Sequence, residues 1–209
     1  GQEPAGPLTT ATVAAMLLDA GAPVDAVNHA GETPLVIACR AANWTLARFL
    51  LDHGAKPAPV GSEPALVAAA GIPDDDSEGA KLLLRYKAPV NATDADGRTA
   101  LLTAAAEGHE QIACVLLQAH ANPNLADKNG TTPLMEAARA GAHGIVQMLA
   151  DANADASPRD GHGRDALTLA CQSPRAQAAT VRALLALGAQ PKEPAADGRS
   201  ALDHAASTG

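Results

Sequence analysis

Asp74-Asp75-Asp76-Ser77-Glu78 is the densest run of potential oxygen ligands in the chain. Clustered carboxylates suit a hard cation such as calcium or magnesium. The run lacks the Gly and bidentate Glu spacing of a helix-loop-helix calcium loop, however, and it stands just before a helical pattern. Acids there complement the helix dipole, and Asp or Ser caps the free N–H groups, so a helix start is the preferred reading. Histidines at 29, 53, 109, 120, 143, 162 and 204 fall at unrelated spacings and make no ligand set. Cys39, Cys114 and Cys171 are too few and too scattered for a disulfide framework or a paired-thiol metal site. They read as small apolar groups within helices, reduced and mostly buried. Phosphate-loop, dinucleotide, zinc-protease and nucleophile-elbow signatures are all missing. The expectation is a protein with no catalytic residues, no metal and no cofactor.

The elements that would carry these residues follow from composition. Apolar residues make up 47% of the 209, yet only 1% are aromatic, namely Trp44, Phe49 and Tyr86. The apolar content is therefore mostly Ala and Leu, which favours closely packed helices over a sandwich or barrel. So few rings leave no stacking platform for single-stranded nucleic acid, and a formal charge of -8 repels phosphate and anionic lipid. No apolar run approaches the roughly 20 residues that cross a bilayer, so neither nucleic-acid binding nor membrane insertion is expected. The chain begins with Gly and without a charged-then-apolar leader, as an excised piece would. Free thiols favour a reducing compartment.

Two leucine series set the organisation. Leu17-Leu18, Leu50-Leu51, Leu83-Leu84, Leu116-Leu117, Leu149-Ala150 and Leu184-Leu185 recur with steps of 33, 33, 33, 33 and 35 residues. Leu35, Leu66, Leu101, Leu134, Leu167 and Leu202 recur with steps of 31, 35, 33, 33 and 35. The series are about half a period out of phase, so each unit holds two helices. Around the second series stand GETPLVIAC at 31-39, GRTALLTAAA at 97-106, GTTPLMEAA at 130-138, GRDALTLAC at 163-171 and GRSALDHAA at 198-206. Thr caps a helix start, Pro is tolerated in a first turn, and the small pair one turn later admits a close neighbour. Gly21, Gly54 and Gly188 can end the second helices in the left-handed conformation. Asp94-Ala95-Asp96-Gly97 and Asp127-Lys128-Asn129-Gly130 supply turn chemistry before the next start.

This pattern resembles the ankyrin repeat, a 33-residue unit made of a β-turn finger followed by two antiparallel helices. Residues 91-123 match nearly throughout, including Gly108-His109 at the interhelix turn and Ile112 in the second helix. The resemblance implies an all-α repeat solenoid, a single array of helix-turn-helix units with β-turn fingers. Its whole units run 25-57, 58-90, 91-123, 124-156 and 157-191, with half units at 1-24 and 192-209. The family's His after T-P-L is replaced by Val36, Val67, Leu102, Met135, Thr168 and Asp203. The finger at Ala58-Glu63 is two residues shorter than the pattern and Pro-rich, which predicts an open turn, and the 71-78 loop is longer than the pattern by two residues, which restores the register. Lys87, His120 and Asn153 stand where Gly would end the second helix.

The resemblance also implies a binding surface on the finger tips and the inner face of the first helices. Carried over by position, its finger residues include His29, Glu32, Asp96, Arg98, Lys128, Asn129, His162, Arg164 and Arg199. Its helix residues include Arg40, Glu107, Arg139, Gln172 and Ser173. Arg98, Lys128, Arg139, Arg164 and Arg199 form a basic strip suited to an acidic or phosphorylated segment of a partner protein, with Asp96, Glu107 and Glu136 as possible neutralising neighbours. Trp44 is a candidate apolar anchor or a packing residue. The implied function is non-catalytic protein recognition. The alternatives are a regulatory or substrate-positioning segment of a larger enzyme or effector, and a self-associating scaffold. Heavy Ala, Arg and Gly usage is the composition expected of a GC-rich bacterial genome.

Overall fold

The computed structural model describes residues 10–175 and 177–208, and among these it contains twelve helices and no strand. They are α1 Thr10–Asp19, α2 Pro34–Arg40, α3 Trp44–Asp52, α4 Ala65–Ala70, α5 Glu78–Arg85, α6 Ala100–Glu107, α7 Glu110–Gln118, α8 Pro133–Ala140, α9 His143–Asp151, α10 Ala166–Gln172, α11 Ala178–Ala186 and α12 Ala201–Thr208. Even-numbered helices stack on one another from α2 to α12, and odd-numbered helices stack from α1 to α11. Each of α2, α4, α6, α8 and α10 also packs on the helix that follows it. The result is a two-layer solenoid in which a unit touches only its neighbours.

The two leucine series are the core. Leu35, Leu66, Leu101, Leu134 and Leu167 are all buried, as are Leu83, Leu116, Leu149 and Leu184 in the other layer. Between them Ala104, Ala105, Ala137 and Ala138 are buried where adjacent first helices meet, since a methyl side chain permits the closest approach of two backbones. The ends differ: α1 buries no residue, and Met16, Leu17 and Leu202 are exposed.

Helix starts follow the sequence expectation with one exception. Thr33, Thr99 and Thr132 accept hydrogen bonds from the main-chain N–H groups of Val36, Leu102 and Met135, and Asp165 does so from Thr168. At the corresponding place α4 has Pro64, which offers no side-chain cap. At the interhelix turn Gly108 and Gly141 take the left-handed conformation, and Ala42 is held there as well, at φ 49°. Lys87, His120 and Asn153 likewise adopt φ 60°, 62° and 60° where the pattern prefers Gly. A side chain in that region costs about 1 kcal/mol or more; these residues are exposed, and main-chain bonds such as Ala88 N–H to Leu83 O and Ala121 N–H to Leu116 O close the helix ends around them.

Candidate binding groove

Each regular finger is a tight loop organised by one side chain. Asp94 Oδ1 accepts from the N–H groups of Asp96 and Arg98, and the Asp94 N–H donates to the Arg98 carbonyl. Asp127 and Asp160 repeat this arrangement, and Asn28 uses its amide oxygen for the same purpose. An Asx turn closes the finger locally, so the absent histidine network is not needed. Neighbouring fingers are then stitched through the main chain: Lys128 N–H to Asp96 O at 2.9 Å, Gly161 N–H to Asn129 O at 2.7 Å, and Ala196 N–H to His162 O at 3.1 Å.

That ladder stops at the short second finger, as its Pro-rich sequence predicts. Pro59 has no N–H with which to close the loop. Its carbonyl instead accepts from Ser62, and Ala65 N–H reaches back to Pro57 O. A second ladder breaks in the same unit. Asp25, Asn91 and Asn124 accept from the N–H groups of Lys56, Asn122 and Asp155, whereas the equivalent pair is Ala58 and Pro89, which have neither acceptor side chain nor donor.

Side chains take over at this joint. Arg40 bridges Glu32 and Glu63 across the first two fingers, and these acids hold its guanidinium charged. The indole N–H of Trp44 donates to Asp76 at 3.0 Å, and its ring lies so close to Gly79 that a Cβ there would stand 2.2 Å away. Asp75 accepts from the N–H groups of Gln111 and Ile112 at 2.9 and 3.1 Å. It thereby caps α7, whose own preceding residue, His109, provides no cap. The acidic run is thus a capping device both on its own helix, where Asp76 accepts from the Glu78 N–H at 3.0 Å, and across units through Asp75. Among the described residues no group of His, Cys, Asp and Glu is arranged to hold a metal ion. His109 is buried at the interhelix turn, with Nδ1 3.1 Å from the Ala70 carbonyl.

Three clefts run along the fingers and first helices. One of about 600 Å³ lies in the gap left by the short finger, between Glu32, Glu63, Asp94 and Asp96. A second, of about 510 Å³, brings Arg98 together with Glu107 and Arg40 over α4 and α6. A third, of about 500 Å³, joins Arg139, Arg164 and Arg175 with Gln172 and Ser173. Asn129 and His162 meet Arg164 in a smaller recess of about 390 Å³ at the finger tips.

The structure therefore brings Arg139 to Arg164 and Arg98 to Glu107, but it does not join every position of the expected strip. Arg139 is paired with buried Glu136, its Nε at 2.8 Å, and Arg164 holds Asp160 at 2.8 and 2.7 Å. Burial pushes the Asp160 carboxyl up, but hydrogen bonds from the Arg164 guanidinium and main chain outweigh it and leave the group below the usual range. Asp96 and Glu107, expected as neutralising partners, make no ion pair among the described residues; Asp160 does so instead. Lys128 and Arg199 are exposed finger residues outside the three clefts. Trp44 stands apart from the groove, half-buried beside α1 and packed against α5. Arg175, which joins the third cleft, was not foreseen, because it follows a helix end where the repeat pattern loses its register. Of the cysteines only Cys39 is buried; Cys114 and Cys171 are half-buried, which corrects the expectation for all three. Their positions on α7 and α10 lie at the edge of the packed stripe.

The sequence matches two descriptions of one family: "Ankyrin repeats (3 copies)" over residues 66–160 and "Ankyrin repeat" over residues 30–58, together more than half of the chain. It is similar to the ankyrin repeat, SAM and basic leucine zipper domain-containing protein 1 of Ornithorhynchus anatinus, with 36% identity over 103 residues. That match covers 47% of this chain and 22% of the relative. The Mus musculus protein of the same name is 33% identical over 111 residues, covering 50% of this chain and 23% of its own length. The chain thus spans less than a quarter of these relatives. Repeats of this kind are generally protein-interaction modules without catalytic activity. With its paired helices, capped starts and stitched fingers, the chain belongs to the ankyrin repeat family.

Proposed function

We propose that this chain recognises another protein through the groove formed by its fingers and first helices, acting as a rigid non-catalytic scaffold. The observation that carries this reading is the cleft in which Arg139 and Arg164, contributed by a helix of one unit and the finger of the next, face a common space with Arg175. Arg98, Lys128, Asn129, His162 and Arg199 are the further contacts on this face, and an acidic segment is the complementary chemistry for the arginines. The units 25-57, 58-90, 91-123, 124-156 and 157-191, with half units at each end, act as one array. A second reading, a segment that positions partners for a larger protein, is favoured by the relatives, which are named for two further domains and of which the match covers 22–23%.

A photo-crosslinking amino acid placed at Ala140, in the groove, and at Arg182, exposed on α11, tests the face. Crosslinking of a partner from Ala140 but not from Arg182 is the expected result. Crosslinking from Arg182 alone would overturn the groove reading.

A further inference from the structure

The residue that closes each finger reads Glu32, Glu63, Arg98, Thr131, Arg164 and Arg199 along the array. Its sign reverses between the second and third fingers. The clefts follow the same order. The gap at the first three fingers presents four carboxylates, those of Glu32, Glu63, Asp94 and Asp96, against the single cation Arg40. The cleft over α8 and α10 presents Arg139, Arg164 and Arg175 and no acid in its lining. Between them the middle cleft mixes Arg98 and Arg40 with Glu63, Asp94 and Glu107. The groove is therefore a dipole laid along the stack, acidic at its N-terminal end and basic at its C-terminal end.

We propose that this groove takes an extended polypeptide segment of the partner carrying Lys or Arg at one end and Asp or Glu at the other. The basic side chains enter the gap at the short second finger, and the acidic ones lie over Arg139, Arg164 and Arg175. This rests on the groove reading above and adds the charge order and register of the occupant. The existing ion pairs do not block it. The Glu136 and Asp160 carboxylates of these pairs are buried, but the Arg139 and Arg164 side chains are 56% and 34% exposed and can accept a partner carboxylate on their open sides while keeping those bonds. Arg175 and Asp96 make no side-chain ion pair among the described residues and are the free charges at the two ends. Opposed charge clusters fix orientation and suppress wrong partners more than they add affinity.

The spacing follows from the repeat. Glu63 and Arg164 are three units apart, and at roughly 10 Å per helix diameter the clusters stand about 30 Å apart. An extended chain covers this with about nine residues at ~3.3 Å each.

Fluorescence anisotropy with labelled synthetic peptides tests this. One peptide carries a Lys triplet and a Glu triplet separated by about nine Gly and Ser residues. Comparison peptides shorten the spacer to about three residues, or carry Glu in both triplets, or Lys in both. The wide mixed-charge peptide is expected to bind at least about tenfold more tightly than each of the others. Asp96→Lys and Arg175→Glu should each abolish most of that advantage while leaving the melting temperature unchanged. Equal binding of the all-Glu peptide, indifference to spacer length, or no binding by any peptide would overturn the proposal. Crosslinking from Ala140 would be unaffected by those outcomes, so the groove reading stands or falls separately.

Discussion

At the residue scale the three cysteines report how sharply a helix of this stack divides into packed and open sides. Cys39 is buried against the next unit, and burial, helped by the Glu63 charge, pushes its thiol up to about 12. Cys171, four repeats on at the same position, is only half-buried, and its thiol is raised by burial and then by Asp165. A raised thiol pKa keeps the group protonated, and the thiolate is the reactive form. Labelling of the native protein at pH 8 should therefore modify Cys114 and Cys171 well before Cys39, which should wait for denaturant. Mass spectrometry of the modified peptides gives the order, and fast labelling of Cys39 would contradict the packing. The one tryptophan serves packing for a related reason: Gly79 leaves no side chain under the indole, and Asp76 satisfies its N–H.

At the element scale the units are held together by capping that crosses from one to the next. Helix α7 begins without a cap of its own and receives the Asp75 carboxylate from the preceding loop. Asp75→Ala should therefore destabilise the array by about 1 kcal/mol, the usual worth of a lost cap, whereas Asp74→Ala on the exposed neighbour should be near neutral. Urea titration of both variants distinguishes them, and equal effects would show that only general acidity of the loop matters. The finger at 160–164 adds a pH dependence with a definite sign. Asp160 is depressed in the folded state, so its pairing with Arg164 stabilises above the ordinary carboxylate range and is lost as pH falls through the depressed value.

At the scale of the whole molecule, stability in a solenoid is a sum of units and their interfaces, so the weakest interface matters more than the average. The second unit lacks the finger ladder, the Asn-type ladder and the helix cap together, and relies on Arg40, Trp44 and the acidic loop instead. Hydrogen exchange should be fastest in α1 and α12, with a second maximum at residues 57–63, and slowest in α6 and α8. Uniform protection along the chain would argue against this. The same joint opens the acidic cleft, so the least stitched point of the array is also the end of the groove with the most negative lining.

Much of this was legible in the sequence, because two leucine series half a period apart require two helices per unit that bury their faces on neighbouring units, the motifs around them resemble the ankyrin repeat, and capping Thr and left-handed Gly positions mark the boundaries locally. The open second finger was readable for the same reason: Pro59 removes a donor whatever surrounds it. What required tertiary structure is every relation between units. The sequence places Asp75 beside its own helix, yet its hydrogen bonds go to residues 36 and 37 positions later. It places Arg139 and Arg164 in a common strip but cannot say that Glu136 and Asp160 already pair with them, nor that Arg175 joins the same cleft. Repeats fix which residues are equivalent, while side-chain rotamers and loop paths decide which of them touch, and charges act only over the short distances that those contacts set.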